Sequence, residues 1–282
     1  MPGRSVLSVT SHVCYGHVGA QASVLALQRL GHEVWHLPTV ILSNHPGHGG
    51  FGGGPVKLAR LEDLAVNLVG RGLVDDCAAV HSGYLGQGAA AATVLRLLDQ
   101  LRGRGGGALY LCDPVMGDGE RVYVGEDVVT AIRDLLLPLA DVATPNRLEL
   151  ELLTGEPVRD AGEALAACRT LQARGPARVV CTSAEIADGT LVLVGLDGAE
   201  GFRLQLPYLD GAPFGTGDAF AAILLGRLLQ GLALRPAVEL AAAAVQGLIR
   251  ASLESGASEL AVVAGQDEIT QPSRRFPAEP FG

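Results

Sequence analysis

The sequence LYLCDPVMGDGE, residues Leu109 to Glu120, indicates the fold of this chain. A short apolar run ends at an acid, Asp113, and Pro114 then stops the run from continuing as a central strand, because proline has no N–H to donate. Asp118 follows after a glycine. Carboxylates that follow buried strands lie at the carboxyl edge of a parallel sheet, where open α/β folds bind ligands. The stretch therefore predicts an α/β fold with ligand-binding acids at one edge of its sheet.

Apolar runs of strand length alternate with longer amphipathic runs along nearly the whole chain. This βαβα order favours a mostly parallel central sheet with helices on both faces, and a later pair of runs, joined by a turn over residues 195–201, indicates an antiparallel edge. The predicted strands are Ser5–Thr10, Glu33–Leu37, Ala78–His81, Leu109–Cys112, Asp141–Thr144, Arg178–Thr182, Leu191–Val194 and Phe202–Leu206. The predicted helices are Gly19–Leu30, Leu58–Val69, Gly88–Leu101, Glu126–Leu137, Arg147–Leu153, Gly162–Arg174, Gly217–Gln230 and Pro236–Ser255.

Composition and charge exclude several classes of protein. The chain has 282 residues, 48% of them hydrophobic and 18% charged, without an apolar run long enough to predict a membrane span. Its formal charge of -9 and scattered arginines do not form the basic stripe of a nucleic-acid binder. Five cysteines without a C-x-x-C pair indicate reduced, mostly buried thiols. We therefore expect a cytoplasmic protein that binds neither nucleic acid nor membrane.

Lysine occurs only once, as Lys57. A Walker A loop requires a lysine after its second glycine, and no such lysine is present. A pyridoxal phosphate enzyme would need Lys57 for its Schiff base, and this residue stands beside Pro55 in a glycine-rich loop, which is a poor context for that role. Any phosphate bound by this chain must be held by backbone N–H groups, a metal ion and arginine.

The sequence PFGTGDAF, residues Pro213 to Phe220, is suited to holding an anion. Gly215 and Gly217, on either side of Thr216, can expose successive N–H groups, and the helix that begins there adds the positive end of its dipole. The dipole favours the ionised form of Asp218, which could accept a proton from a substrate hydroxyl. The alternative interpretation is that Asp218 only caps the helix.

The sequence DVATPNRLELEL gives a second strand end, at Thr144, followed by Asn146 and Glu149 at the start of a helix. Taken singly, Asn146 is interpreted as a helix cap and Glu149 as a solvated acid of the first turn. Together with Asp113 and Asp118 they point to one sheet edge, where carboxylates could hold Mg²⁺.

Two further stretches follow predicted strands near the beginning of the chain. SHVCYGHVG contains Ser11 at a strand end but lacks the glycines of a dinucleotide fingerprint, which weakens a dehydrogenase interpretation. All seven histidines lie at or before His81, and although a zinc site is conceivable, their spacing matches no known cluster. Tyr84 is interpreted either as ordinary packing or as a ring that stacks on a flat ligand.

Residues 47–54, GHGGFGGG, hold six glycines in eight residues. They form either a surface connector or a flap that closes over a ligand, and the neighbouring Ser43, Asn44 and His45 favour the flap. We place the flap at residues 43–55 of a single domain, 1–282, with an irregular tail at 271–282.

Together these stretches resemble the ribokinase-like superfamily, and specifically the pyridoxal kinases. Three motifs are shared across the superfamily: CDPVMGD (112–118), TPNRLELELLTG (144–155) and GTGD (215–218). The stretches SHVCYGHVG (11–19), LSNHPG (42–47) and SGYLG (82–86) are similar to those of pyridoxal kinases in particular. The resemblance covers almost the whole chain. It implies a three-layer α/β/α kinase, often a homodimer, that uses ATP to phosphorylate the 5′-hydroxymethyl group of pyridoxal, pyridoxine or pyridoxamine in vitamin B6 salvage.

The resemblance also implies roles for individual residues. Asp218 resembles the general base, and the amides of residues 215–217 resemble the hole that holds the transferred phosphoryl group. Asp113, Asp118 and Glu149 resemble the acids that bind Mg²⁺ and the nucleotide phosphates. Thr144, Thr182 and Ser183 resemble the residues that bind the nucleotide and a monovalent cation such as K⁺. The implied metal ligands are Asp113, Thr144, Glu149 and Thr182. The resemblance also implies five contacts with the vitamer. Ser11 hydrogen-bonds the pyridine nitrogen, and Tyr84 forms the wall beside the ring. His45 and Pro46 belong to the cover, and Asp218 also contacts the vitamer.

Two features of the sequence depart from the pattern of the pyridoxal kinases, and three other functions are alternatives to that activity. Pro46 stands where the family often has threonine, so that it offers the vitamer neither a hydroxyl nor an N–H, and the flap is richer in glycine than in relatives. A hydroxymethylpyrimidine kinase often carries cysteine at the position of Asp218. A sugar kinase of the same superfamily would need more polar groups than Tyr84 provides. A non-catalytic vitamer-binding protein would have no need of Asp218 and the metal acids.

Overall fold

The fold is built on one large twisted sheet, seen here in a computed structural model that describes residues 4–103 and 107–282; residues 1–3 and 104–106 of the predicted domain lie outside this range. The strands are β1 (Ser5–Tyr15), β2 (Glu33–Asn44), β3 (Gly53–Pro55), β4 (Cys77–Ser82), β5 (Leu109–Cys112), β6 (Gly117–Asp118), β7 (Arg121–Val122), β8 (Val142–Ala143), β9 (Arg178–Ala187), β10 (Thr190–Asp197), β11 (Glu200–Pro207) and β12 (Glu279–Pro280).

The sheet has the order β12-β11-β10-β9-β8-β5-β4-β1-β2-β3, and β6 and β7 form a separate hairpin. The six central strands from β9 to β2 are parallel. The predicted antiparallel edge is confirmed at β9 to β12, and β3 adds an antiparallel strand at the opposite edge. A parallel arrangement places the carboxyl ends of β1, β4, β5, β8 and β9 along one side of the molecule.

Helices cover both faces of this sheet and give the expected three layers. They are α1 (Ala20–Arg29), α2 (Leu58–Gly70), α3 (Ala91–Gly103), α4 (Glu126–Ala131), α5 (Arg147–Thr154), α6 (Ala161–Gln172), α7 (Thr216–Leu229), α8 (Leu234–Ser255) and α9 (Gln266–Thr270). One core lies under α2 to α6 and a second lies under α1, α7 and α8. In the part of the chain that the structure describes, every helix is too short or too polar to cross a membrane.

The first two strands are longer than predicted. Strand β1 continues past Thr10 to Tyr15, so Ser11 lies inside the strand and not at its end, at a point where the register with β2 shifts. Strand β2 continues through Pro38 to Asn44. The pairing continues past Thr10 and Pro38 because β2 holds one more residue than β1 between the pairs Thr10–Pro38 and His12–Ile41, which is a β-bulge in β2.

Several other segments also differ from prediction. Strand β9 continues past Thr182 to Ala187, so Thr182 lies inside the strand and not at its end. Helix α4 ends at Ala131 and is followed by a π turn (132–136) and a 3₁₀ turn (137–139), because Pro138 cannot continue an α-helix. Strand β10 runs through Gly195, whose bare Cα faces the ring of Phe202, so the turn is shorter than residues 195–201. Within the tail, β12 pairs with β11, and α9, which was not predicted, precedes the tail.

The glycine-rich flap is partly regular. A 3₁₀ turn over Pro46–His48 follows β2, and β3 then pairs with the end of β2. Lys57 is exposed directly after β3, at the N-cap of α2. The flap is therefore attached to the sheet at both ends.

Candidate active site

The N-terminus of α7 offers its first-turn amides to a ligand. Gly215 is the N-cap with a φ of 92°, a left-handed conformation that favours glycine, and no side chain among the described residues caps the helix. Asp218 is thus not the cap that the alternative interpretation required. Its carboxylate accepts a hydrogen bond from the N–H of Gly19 instead.

The loop after β1 packs directly on this helix start. A Cβ atom added to Gly215 would overlap the carbonyl oxygen of His17, and one added to Gly19 would overlap the hydroxyl of Ser11. Two glycines without side chains therefore allow the close approach. The result is that Ser11 and Asp218, 207 positions apart in sequence, both lie against Gly19.

The acid Asp218 has a higher pKa than its position on the helix predicts. Burial raises its pKa to about 6, and the hydrogen bond from Gly19 only partly offsets this effect. Burial also raises the pKa of Asp113 to about 7, with a further contribution from the negative charge of Asp218 and an opposing hydrogen bond from Thr144. Desolvation outweighs the helix dipole here, so Asp218 is a stronger base than an exposed aspartate and is still ionised at neutral pH.

A buried polar group joins the ends of β5 and β8. The hydroxyl of Thr144 donates to Asp113 Oδ1 at 2.8 Å, and both residues are buried. Asn146 caps α5, as predicted, and forms a capping box with Glu149. Glu149, however, is 4% exposed and is not a solvated acid.

Both carboxylate oxygens of Glu149 accept backbone hydrogen bonds. Its Oε1 accepts from Met116 N–H and its Oε2 accepts from Asn146 N–H, each at 2.9 Å. Burial and the charge of Asp113 nevertheless raise its pKa well above the ordinary value. The hydrogen-bonding partners of Asp113 and Glu149 are all neutral, so a cation beside them would relieve an unfavourable pair of charges.

The other residues predicted for the nucleotide side lie in the β6–β7 hairpin and in β9. Asp118 is exposed in the β6–β7 hairpin and accepts the N–H of Gly119 at 2.8 Å. Thr182 and Ser183 are half-buried in β9, where Thr182 N–H donates to the carbonyl of Pro145 at 3.0 Å. Among the described residues, no three of the four acids Asp113, Asp118, Glu149 and Asp218 bring oxygens within 4.8 Å of one another. A dication here would keep water or phosphate ligands, as Mg²⁺ usually does.

Sequence reasoning missed Tyr123, which follows β7. Burial raises the pKa of its hydroxyl, and the charges of Glu149, Asp218, Asp113 and Asp118 raise it further. The charges of all four acids therefore act on this hydroxyl, although the tyrosine side chain is 45% exposed. Its ring lies 6.3 Å from that of Tyr84, so the two rings connect the acids with the loop that follows β4.

The residues predicted for the vitamer lie around the flap and the loop after β4. Tyr84 is half-buried and packs with a small apolar cluster of Val13, Val40 and Leu42. His45 is buried, and its ring lies 4.9 Å from that of Phe214, which directly precedes Gly215. Pro46 is exposed and begins the 3₁₀ turn. The flap thus contacts the segment that leads into α7.

Glu259, beyond the end of α8, was also missed. Its Oε2 accepts the N–H of His17 at 2.9 Å, and its Oε1 lies 3.2 Å from His45 Nε2 and 2.7 Å from His48 Nε2. It therefore joins the flap to the loop that packs on Gly215. No local motif marked this acid, because its partners lie more than 200 positions away in sequence.

Known proteins match this chain along its length. The phosphomethylpyrimidine kinase family model matches residues 60–263. Pyridoxal kinase PdxY of Rubrobacter xylanophilus is 38% identical over 280 residues, covering 98% of this chain and 97% of that protein. The PdxY of Deinococcus radiodurans is 39% identical over 287 residues, covering 98% and 96%. The structure of Leishmania donovani pyridoxal kinase with ADP and pyridoxine superposes with a TM-score of 0.92 at 33% identity, covering 99% of each chain. The chain belongs to the pyridoxal kinase family, within the ribokinase-like superfamily.

Proposed function

We propose that this chain transfers the γ-phosphoryl group of ATP to the 5′-hydroxymethyl group of pyridoxal, and also of pyridoxine and pyridoxamine, in vitamin B6 salvage. The observation that carries the proposal is the position of Asp218, an acid of raised pKa that lies in the first turn of α7 beside Gly19. A relative with ADP and pyridoxine bound has the same fold over the full chain. Phosphoryl transfer needs positioning and charge stabilisation more than covalent chemistry, which suits a site without a phosphate-binding lysine.

In this proposal Asp218 accepts the proton of the vitamer hydroxyl as that oxygen attacks phosphorus. The amides of Gly215, Thr216 and Gly217 hold the oxygens of the phosphoryl group during transfer. A raised pKa strengthens the base, and ionisation at neutral pH keeps it ready to accept the proton.

Mg²⁺, when bound, would neutralise charge on the phosphates. Asp113 and Glu149, with the hydroxyls of Thr144 and Thr182, are proposed to hold it, directly or through water. The two carboxylates fit such an ion because they are buried and have only neutral hydrogen-bonding partners. Asp118, Thr182 and Ser183 contribute to the nucleotide side, where K⁺ is a further candidate ligand.

The vitamer is proposed to lie between the flap and the loop after β4. Ser11 binds the pyridine nitrogen, Tyr84 stacks on the ring, and His45 and Pro46 form part of the cover. Since Pro46 has no hydrogen-bond donor, it can contact the vitamer ring only by packing and adds no hydrogen bond at this position.

We further propose that residues 1–282 act as one cytoplasmic kinase domain, with residues 43–55 as its flap, that functions as a homodimer. Trp35 and Ile41 support an interface near the β2–β3 edge, because each of these large apolar side chains is 46% exposed. Analytical ultracentrifugation should give twice the chain mass of 29.1 kDa.

The test of function is ATP consumption measured in parallel with pyridoxal, pyridoxine, pyridoxamine, hydroxymethylpyrimidine and ribose. Pyridoxal should be turned over with the highest kcat/KM, and its product should be pyridoxal 5′-phosphate. Preferred turnover of the pyrimidine would show that the chain is a hydroxymethylpyrimidine kinase. Binding of vitamer and nucleotide without turnover would show a binding protein.

A further inference from the structure

Three side chains meet where the flap contacts the loop after β1. His45 and His48 lie on the 3₁₀ turn that follows β2, and Glu259 lies in the segment between α8 and α9. One donor atom from each of the three lies within 4.8 Å of the others, and among the described residues they are the one such group of histidine, cysteine and acidic side chains. The two imidazole rings are tilted by 44° to each other, with centroids 4.3 Å apart.

The donor set and its spacing fit a transition metal. Two imidazole nitrogens and one carboxylate oxygen are ligands that Zn²⁺ takes readily, with bonds of about 2.0–2.1 Å. In a tetrahedron of such bonds the ligand atoms are about 3.3 Å apart. Glu259 Oε1 lies 3.2 Å from His45 Nε2 and 2.7 Å from His48 Nε2, so small movements would open the space for an ion.

The charge of the cluster also favours a cation. With an ionised carboxylate and neutral imidazoles the group carries one negative charge. The bond from His17 N–H to Oε2 holds the carboxylate in place and leaves Oε1 directed at the two rings, which is the supporting role that outer groups play at metal centres.

Besides the small movements, metal binding requires a change of tautomer in both histidines, because each donates its Nε2 proton to Glu259 Oε1 when no metal is bound. Gly47 N–H donates to His45 Nδ1 at 3.2 Å, so Nε2 carries the proton and donates to Glu259. To ligate through Nε2 the ring must carry its proton on Nδ1 and give up the long bond from Gly47. No net charge changes in this step. His48, whose side chain is 29% exposed and touches the exposed ring of Tyr15, gives an ion access from solvent.

We propose that His45, His48 and Glu259 form a binding site for a transition-metal dication, best fitted by Zn²⁺ and distinct from the Mg²⁺ position at the nucleotide. A metal ion here would fasten the flap to Glu259 and, through His17, to the loop beside α7. The metal site does not depend on the proposed function. Only an effect of the metal ion on vitamer binding would depend on it.

The test is calorimetric titration of the nucleotide-free protein with Zn²⁺ alone, followed by Co²⁺ substitution. We expect one Zn²⁺ per chain and the visible absorption of tetrahedral Co²⁺. His48→Ala and Glu259→Gln should each weaken Zn²⁺ binding at least tenfold. His12→Ala is the matched control, because His12 and His36 form another histidine pair, with ring centroids 5.9 Å apart, outside this cluster. Circular dichroism would establish that each variant is folded.

A second readout is limited proteolysis of the flap, which is independent of kinase activity. Zn²⁺ should slow cleavage within residues 49–54 in the wild-type chain and in His12→Ala, but not in His48→Ala. The proposal is overturned if Zn²⁺ does not bind, if His48→Ala and Glu259→Gln bind it as the wild type does, or if His12→Ala removes the binding. A failure of the vitamer kinase assay would leave these measurements unaffected.

Discussion

Asp218 experiences two influences of opposite sign. The N-terminus of α7 stabilises its ionised form, whereas burial beside Asp113 destabilises it, and the second effect is larger. An acid in this position is charged at physiological pH yet basic enough to take a proton from an alcohol as phosphorus is attacked.

Replacing Asp218 by Asn removes the proposed base and keeps the shape of the side chain. We expect kcat to fall roughly 10²–10⁴-fold, the usual scale for the loss of a general base, while ATP binding is retained. Steady-state kinetics and nucleotide titration of the same preparation would measure the two quantities. Unchanged turnover would remove Asp218 from the mechanism.

The pH dependence of kcat should report the same group. Since the base must be ionised and its pKa is about 6, kcat should be constant above neutral pH and fall on acidification through about pH 6. Asp113 should not set this limb, because a dication bound beside it lowers its pKa. A stopped assay between about pH 5 and 9, with stability checked at each pH, would measure the profile. A profile that stays flat through pH 6 would contradict the assignment.

At the scale of elements, the close contact between α7 and the loop after β1 determines the geometry of the site. Gly215→Ala would place a Cβ against the carbonyl of His17 and force alanine to a φ of 92°. We expect a loss of stability of about 2 kcal/mol or more, together with lower activity, because the helix start must move away from the loop.

Gly217→Ala is the matched control for stability. An added Cβ at Gly217 meets no heavy atom within 4 Å, and alanine favours helix, so the free energy of unfolding should stay the same or rise slightly. Urea denaturation of both variants measures the difference. Equal stability of the two variants would contradict this expectation, because it would show that the loop after β1 can move to accommodate a Cβ atom at residue 215.

The loop after β4 carries the proposed stacking ring. Tyr84→Ala should raise the KM for the vitamer about 3- to 10-fold and leave the KM for ATP nearly unchanged, since an aromatic contact is worth about 0.5–1.5 kcal/mol. Tyr84→Phe retains the ring and should resemble the wild type. The reverse pattern, a raised KM for ATP alone, would place Tyr84 on the nucleotide side.

The types of the elements could be predicted because the spacing of apolar residues and the order of strand-length and helix-length runs can be read from the sequence. Several element boundaries depend instead on tertiary contacts. The run Leu109–Cys112 was predicted with its observed ends, since Asp113 and Pro114 mark its end chemically. Strand β2 was predicted too short because Pro38 normally ends a strand, and only the pairing with β1 on the far side of the bulge shows that β2 continues. The ends of such strands are set by their neighbours.

At the scale of the whole molecule, the sheet brings together groups from distant parts of the chain. Asp113, Thr144 and Thr182 could be assigned to one edge from sequence because Asp113 follows a predicted strand and the two threonines end predicted strands, although β9 runs past Thr182. Glu259 and Tyr123 could not be assigned, since neither follows a strand of the parallel sheet, and Glu259 contacts a backbone N–H 242 positions away.

The distribution of thiols gives a prediction for the folded molecule. All five cysteines are free; Cys14 is exposed and the other four are buried. Burial raises the pKa of Cys112 and of Cys168 to about 12, which keeps these thiols un-ionised and unreactive. An aromatic disulfide reagent should therefore label one thiol quickly in the native protein and five after denaturation. Cys14→Ser should abolish the fast phase, and rapid labelling of more than one native thiol would indicate a looser core.

The position of Lys57, exposed at the start of α2, has a chemical consequence for a protein that makes pyridoxal 5′-phosphate. That product carries an aldehyde, which condenses with primary amines to form imines. Most proteins display many lysine side chains to such a reagent, but this one offers a single ε-amino group, on the solvent side of the β3–α2 junction. The chain therefore offers only one lysine to the electrophile that it releases, and borohydride trapping should mark Lys57 as the single modified lysine, outside residues 215–218.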